Sequence, residues 1–232
     1  MKRSLKDETS QPHLAQARWE QAYLAFETPA AEQRKFIRRL NRLGQATWPR
    51  SARIVELFCG RGGGLLALET LGFTAIEGVD VSASLVDCYA GKGQIHVADC
   101  RALPLAAASK EIVIVQGGLH HLTALPEDLA TVLTEVERVL VSGGRFVIVE
   151  PWLTPFLQLV HAATRVRVLR AIYQPLAALA TMIDLERPAY FNWLHQPGVI
   201  LELFASRFKV VKMRLGWGKI EAEFVVSKGG HR

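Results

Sequence analysis

Apolar residues along this chain follow two rhythms, and the change comes near residue 53. Before it, helical spacing dominates. Ala15, Trp19, Ala22, Tyr23 and Phe26 recur every three or four positions, which predicts an amphipathic helix over 12–27. Thr28-Pro29 opens a second helix with proline at its first position, and Gly44 stands just past its end. Beyond residue 53, short apolar runs alternate with helical segments. "RIVELF" (53–58) predicts a buried strand, "GGGLLALETLG" (62–72) a helix and "TAIEGVD" (74–80) a second strand. "SASLVDCYA" (82–90) is a helix begun by Ser82, and "QIHVAD" (94–99) a third strand. "EIVIVQ" (111–116), "PEDLATVLTEVERVL" (126–140) and "RFVIVE" (145–150) continue as strand, helix and strand, the last after the turn "SGG". Such alternation predicts an α/β fold with a doubly wound, mostly parallel sheet.

The pattern breaks after Pro151. Residues 152–195 are rich in aromatics, and Pro155, Pro175 and Pro188 cut them into short helices, which predicts a helical cap over the sheet. "GVILELFASR" (198–207) is again helical. "FKVVKMRL" (208–215) and "KIEAEFVVS" (219–227) then form an antiparallel hairpin around Gly216-Trp217-Gly218, which brings the sheet to seven strands. The expected organisation is an N-terminal helical lid over 1–50 and a main domain over 51–232, with the cap inserted at about 152–195.

Composition adds an address for the charge. The net charge is +6, and residues 1–53 hold eleven Lys/Arg against five Asp/Glu, whereas 54–232 hold seventeen of each. Most of the excess lies in "RKFIRRLNR" (34–42). Its expected role is a solvated face, with Phe36, Ile37, Leu40 and Leu43 docking the other side; nucleic acid is not expected, because no nucleic-acid module accompanies it. The polar N-terminus does not look like a signal peptide, and no apolar stretch is long enough for a transmembrane segment. Cys59, Cys88 and Cys100 lack paired spacing, so reduced thiols in a cytoplasmic protein are expected, with no metal.

Candidate chemistry gathers at strand ends. In a doubly wound sheet a ligand sits beyond the carboxyl ends of the strands, at the glycine turn after the first. Here that turn is "ELFCGRGGG" (56–64). Gly60 and Gly62 allow close backbone approach, and Asp80, ending the second strand, can accept both hydroxyls of a ribose. To this point a nicotinamide dinucleotide and S-adenosylmethionine fit alike. Three details separate them. Counting from Gly60, Leu65 stands where a dinucleotide turn has its third glycine. Glu56 would repel a pyrophosphate but could meet an ammonium group. Asp99, past the third strand, can accept an adenine amino group.

These stretches resemble the class I S-adenosylmethionine-dependent methyltransferases over residues 50–151. "VELFCGRGG" is similar to the family's first motif, "GVDVSASLV" (78–86) to its ribose-binding stretch, and "VADCRALPL" (97–105) to its adenine-binding stretch. "EIVIVQGGLHHL" (111–122) and "VERVLVSGGRFVIVEP" (136–151) resemble the small-molecule subgroup that includes the ubiquinone and menaquinone methyltransferases. One departure is that Phe58 stands where the family usually has its first glycine. The resemblance implies a Rossmann-like methyltransferase fold with S-adenosylmethionine as cofactor. It places Glu56 and Gly60 at the methionine end, Asp80 at the ribose, Asp99 with Cys100 at the adenine and Gln116 beside the sulfonium, with Phe58, Cys59, Gly62 and Val81 among the cofactor-binding residues. Arg61 would reach the cofactor carboxylate or face solvent.

The acceptor is expected to be a small apolar or aromatic molecule, with O-methylation favoured over N- or C-methylation. His121 and His120, after the fourth strand, are the candidate bases, and the alternative is that they only structure the loop. Glu150 is a weaker candidate. Trp152, Phe156, Tyr190 and His195 are the candidate substrate contacts, and "RVRVLR" (165–170) would either draw an acidic substrate or lie solvated. A nicotinamide oxidoreductase and a non-methylating cofactor binder stay open as alternatives, as does a homodimer.

Overall fold

The computed structural model describes residues 12–226. Residues 1–11 of the expected lid segment and Ser227, at the end of the last expected strand, lie outside them. The chain begins with α1 (Pro12–Phe26) and α2 (Pro29–Leu43). Local chemistry sets the limits of α2. Thr28 Oγ1 accepts from the Ala31 N–H, Pro29 fills the first turn, and Gly44 ends the helix at φ 90°.

The winding then runs β1 (Ile54–Leu57), α3 (Gly63–Thr70), β2 (Ile76–Asp80), α4 (Ala83–Val86), β3 (Gln94–Val97) and β4 (Lys110–Gln116). It continues with α5 (Glu127–Val139) and β5 (Leu140–Pro151). The cap consists of α6 (Pro155–Arg165), α7 (Arg167–Ile172), α8 (Gln174–Leu185) and α9 (Arg187–His195). After α10 (Pro197–Arg207) the chain closes with β6 (Phe208–Gly216) and β7 (Lys219–Val226). The seven strands lie in the order β3-β2-β1-β4-β5-β7-β6. β1 to β5 are parallel, and β7 runs antiparallel to both β5 and β6.

Strand alternation divides the core between the two faces of the sheet. Ile54, Ile112, Ile114 and Val147 pack with Phe36 and Leu40 of α2 and Leu65 and Leu68 of α3. Val55, Leu57, Val113, Phe146 and Ile148 pack on the other side, with Leu133 of α5 and Phe204 of α10. Two elements differ from the expected bounds. α4 is a single turn, because the chain leaves it for the Gly91-Lys92-Gly93 segment, whose Gly93 N–H is held by Tyr89 Oη and Glu69. β5 starts at Leu140, and the expected "SGG" turn is an irregularity inside it. The register passes from Lys110↔Leu140 to Ile112↔Arg145, with Gly143 at φ 74°.

The basic helix departs from the solvated-face expectation. Arg34, Arg38 and Arg42 are exposed, but Arg39 is buried and Lys35 half-buried. Lys35 and Arg39 flank Phe36 and lie against its ring, 4.9 and 5.4 Å from the centroid, so the stripe that docks also turns two cations inward. Among the described residues no helix is long and apolar enough to cross a membrane.

Candidate active site

Glu56 shares the β1 face of Ile54, so its side chain points under α3. It is 2% exposed, and a Cβ added at Gly64 would fall 2.1 Å from either of its carboxylate oxygens. Glycine at 64 therefore makes the seat for this carboxylate. Oε1 accepts from Gln116 Nε2 at 3.1 Å, while Glu56 Oε2 and Gln116 Oε1 are buried without a hydrogen-bond partner. Burial pushes the Glu56 carboxyl up to about 8. Two buried acceptors without donors suit a cationic donor, such as the ammonium of a methionine moiety.

Asp80 follows at the end of β2. Its Oδ2 accepts from the Gly60 N–H at 2.8 Å and its Oδ1 from the Ser82 N–H at 2.9 Å, which fixes the carboxylate and leaves each oxygen a lone pair for a ribose hydroxyl. Asp99 is held by Arg101, at 2.6 Å from Nη2, and that hydrogen bond keeps its carboxyl below the ordinary range. Cys100 is buried beside it, with its thiol pushed up to about 12 by burial. Val81 is exposed at the rim. Glu56, Asp80, Val81, Asp99, Cys100 and Gln116 all line one cavity of about 860 Å³.

The glycine turn itself is more constrained than its sequence suggests. Phe58 adopts φ 55°, the left-handed region, so it takes a conformation that glycine adopts at no cost. Its side chain packs against Gly118, where an added Cβ would come 2.2 Å from Phe58 Cγ. Phe58, Cys59 and Gly60 line the cavity; Arg61 and Gly62 do not. A Cβ on Gly62 would strike the Tyr89 ring, so that glycine serves packing. Arg61 faces neither solvent nor a cofactor carboxylate. Its side chain is buried, with Nε 2.6 Å from Glu32 Oε2 and Nη2 donating to the Glu27 carbonyl at 2.8 Å. Tyr23 Oη donates to Glu32 Oε1 at 2.7 Å, so α1, α2 and the turn are joined through one carboxylate. Nothing in the sequence singled out Glu32.

The histidines follow β4 in a short turn. Glu150, on the β5 face opposite to that of Glu56, is fully buried beneath it. It accepts from the Gly118 and Leu119 N–H groups at 2.8 and 2.9 Å, and His120 Nδ1 lies 2.8 Å from its other oxygen. Burial works to raise the Glu150 carboxyl, but the His120 contact and the two N–H groups hold it below the ordinary value. An ionised carboxylate only accepts, so Nδ1 carries the proton and Nε2 keeps its lone pair while the ring is neutral. Burial, with the neighbouring His121, lowers His120 and keeps the ring neutral. His121 behaves oppositely. Its Nδ1 sits 2.7 Å from Glu186, between α8 and α9, and against burial the charge of that close carboxylate raises it. The rings lie 4.1 Å apart, with Trp19 edge-on to His121 and Tyr190 edge-on to His120. The sequence offered both histidines, but gave no sign of Glu186.

Of the candidate substrate contacts, Phe156 and Tyr190 line the cavity. Trp152 and His195 do not. Trp152 is buried in the core, edge-on to Trp193, because it follows directly on β5. His195 is exposed at the end of α9 and stacks near Phe191. The "RVRVLR" segment runs from the end of α6 into α7, which has no buried residue, and it contributes nothing to the cavity wall.

Residues 55–148 match the family model described as a methyltransferase domain. The chain is 31% identical over 131 residues to the ubiquinone/menaquinone biosynthesis C-methyltransferase UbiE of Geotalea uraniireducens, which covers 50% of this chain and 54% of that one. It is 26% identical over 173 residues to the dimethylglycine N-methyltransferase of Parasynechococcus marenigrum, covering 70% and 56%. The chain thus spans about half the length of the curated relatives it matches. Among solved structures, a Pyrococcus horikoshii protein superposes with a TM-score of 0.61 at 18% identity, covering 84% of this chain and 91% of that one. A SAM-dependent methyltransferase of Methanosarcina mazei gives 0.53 at 15%, covering 79% and 95%. Residues 55–148 thus match a methyltransferase domain, and the fold is that of solved S-adenosylmethionine-dependent methyltransferases. S-adenosylmethionine is the cofactor of that class, and the orphaned acceptors of Glu56 and Gln116 fit its methionine end.

Proposed function

We propose that the chain is an S-adenosylmethionine-dependent methyltransferase acting on a small, apolar or aromatic molecule with an ionisable hydroxyl, with oxygen as the favoured methyl acceptor. One observation carries this reading: a single cavity brings the strand-end carboxylates of Glu56, Asp80 and Asp99 together with the His120–Glu150 pair. The cofactor supplies a methyl carbon bonded to a positively charged sulfur. In-line transfer needs alignment above all, so the chain's own part is to hold, orient and exclude water.

Glu56 and Gln116 would hold the methionine end, Asp80 the ribose hydroxyls, and Asp99 with Cys100 the adenine. His120 Nε2 would take the hydroxyl proton, while Glu150 fixes the ring through Nδ1 and stabilises the charge that forms there. This reverses the sequence-based order of the two histidines, because the ion pair with Glu186 favours the protonated form of His121. Trp19, Tyr23, Phe58 and Tyr190 would screen the reacting atoms from water. α1 and α2 act as a lid, and α6–α9 as the cap.

A carbon acceptor is the second reading, favoured by the relative named as a C-methyltransferase. An enolate offers carbon and oxygen together, and the same base would generate it. The test is incubation with methyl-labelled S-adenosylmethionine and cell extract, followed by mass spectrometry of labelled products. His120→Gln should lower turnover about 10²–10⁴-fold with cofactor affinity retained by calorimetry. A wild-type chain that does not bind the cofactor overturns the reading. Binding without product across a broad acceptor panel favours the non-methylating binder, and the labelled atom distinguishes oxygen from carbon.

A further inference from the structure

One group of cavity side chains has no part in holding the cofactor or moving the proton. Lys35 and Arg39 of α2 and Lys219 at the start of β7 all line the cavity. Lys35 and Arg39 stand one helical turn apart and therefore share a face. Lys219 pairs with Pro151 in the β5–β7 register, one residue past Glu150 and so on the other face of the sheet.

Of the nearby carboxylates, Glu56, on which the Arg39 charge also acts, is kept neutral by burial, and the others are engaged. Glu27 pairs with Lys35, Glu221 with Arg42 and Glu150 with His120. Arg39 is only 8% exposed, yet among the described residues neither its side chain nor that of Lys219 has a hydrogen bond or an ion pair; the Arg39 side chain has only the Phe36 ring. The contrast with Arg61, equally buried and paired with Glu32, is direct. Burial, then repulsion from Arg39 and Lys35, lowers the Lys219 ammonium to about 7. Burial likewise lowers Arg39, to about 10, and the guanidinium stays charged in neutral solution. A buried guanidinium and a half-buried ammonium that repel each other at a cavity wall are costly unless an anion joins them.

We propose that Arg39 and Lys219 bind a carboxylate or phosphate group carried by the methyl acceptor. The proposal rests on the methyltransferase reading and deepens it by naming the acceptor as an acid. The cofactor has a carboxylate of its own, but the sheet order separates the two sites. β7 lies three strand positions from β1, in the order β1-β4-β5-β7. At about 4.8 Å per strand, that puts Lys219 roughly 14 Å from the Glu56 strand. Lys219 thus stands away from the Glu56 strand, while the Arg39 charge acts on both Lys219 and Glu56. The two cations also answer the charge question left by α7: the arginines that suggested an acidic substrate lie outside, and other cations take that place.

The test is calorimetry in saturating S-adenosylmethionine with benzoate, phenyl phosphate and neutral benzamide as probes, on the wild-type chain, Arg39→Met, Lys219→Met and Lys219→Glu. The wild type should prefer at least one anionic probe to benzamide by about tenfold or more, as expected for a charge-assisted contact. Each Met variant should lose that preference with cofactor affinity within about twofold of wild type, and Lys219→Glu should reverse it. Circular dichroism identifies any variant that fails to fold, and the remaining variants then carry the comparison. Equal binding of charged and neutral probes by the wild type overturns the proposal. Cofactor affinity that falls in the Met variants also overturns it, by assigning the cations to the cofactor carboxylate. A wild type that prefers anions but does not bind S-adenosylmethionine supports the anion site and rejects the methyltransferase reading instead.

Discussion

Glu56 keeps its proton in neutral solution, because burial pushes its carboxyl up to about 8. The folded pKa exceeds the ordinary carboxylate value of 4.5, so the native state holds a proton that the unfolded chain releases. Stability of the free protein should therefore fall as pH rises through that window. An ammonium beside the carboxylate reverses the preference. Cofactor affinity should thus rise with pH up to about 8, by at most about tenfold per unit, with a proton released on binding. Calorimetry in buffers of different ionisation enthalpy reads that proton directly, and Glu56→Gln should abolish both the slope and about 1.5–3 kcal/mol of binding. Phe58 carries a different cost. A non-glycine residue in the left-handed region loses roughly 1–2 kcal/mol. Phe58→Gly should consequently be about 1 kcal/mol more stable than Phe58→Ala by denaturant melts, since both lose the ring and only alanine keeps the strain. The sequence marked Phe58 as an oddity at a glycine position, and the backbone shows that the position still demands a glycine-like conformation.

At the scale of elements, α2 is the piece whose sequence meaning changed most. Its limits were legible because Thr28, Pro29 and Gly44 act through local geometry. Its inward cations were not, although Lys35 and Arg39 border the apolar stripe that the periodicity picked out. The apolar pattern shows that a face is docked but not what lies at its edge. The same helix supplies Glu32, which joins Arg61 of the glycine turn to Tyr23 of α1. Removing one partner of a buried pair leaves an uncompensated charge, so Glu32→Ala should cost about 3–5 kcal/mol in thermal or denaturant unfolding. The double change Glu32→Leu with Arg61→Met should recover most of that loss. If the single change costs under about 1 kcal/mol, the pair does not fasten the lid.

Across the whole molecule, the cavity closes by contacts between distant segments. α1 packs along α8, and Glu20 receives the Ser82 and Ser84 hydroxyls at 2.7 and 2.6 Å, just past Asp80 in the chain. Cofactor binding at Asp80 and Glu56 should therefore steady α1 before it affects α10 or β6. In hydrogen exchange, amides of residues 12–26 should slow by about tenfold with S-adenosylmethionine, and those of 197–216 should change little. Uniform slowing across both regions would argue against a lid.

The sequence by itself determined the winding of the sheet, the helix limits set by capping residues, and the carboxylates at strand ends. Each of these is encoded in spacing of two or 3.6 residues, or in a turn residue whose preference is local. Tertiary structure alone decided which side chains face one another across the cavity. It turned Arg61 from a cofactor candidate into the partner of Glu32, sent Trp152 to the core and His195 to the surface, and gave His120 and His121 opposite charge preferences through Glu150 and Glu186. It also left the buried Arg39 and the half-buried Lys219 at one cavity wall with no ion-pair partner among the described residues. Those outcomes depend on desolvation and on charges far apart in sequence, which no local pattern records.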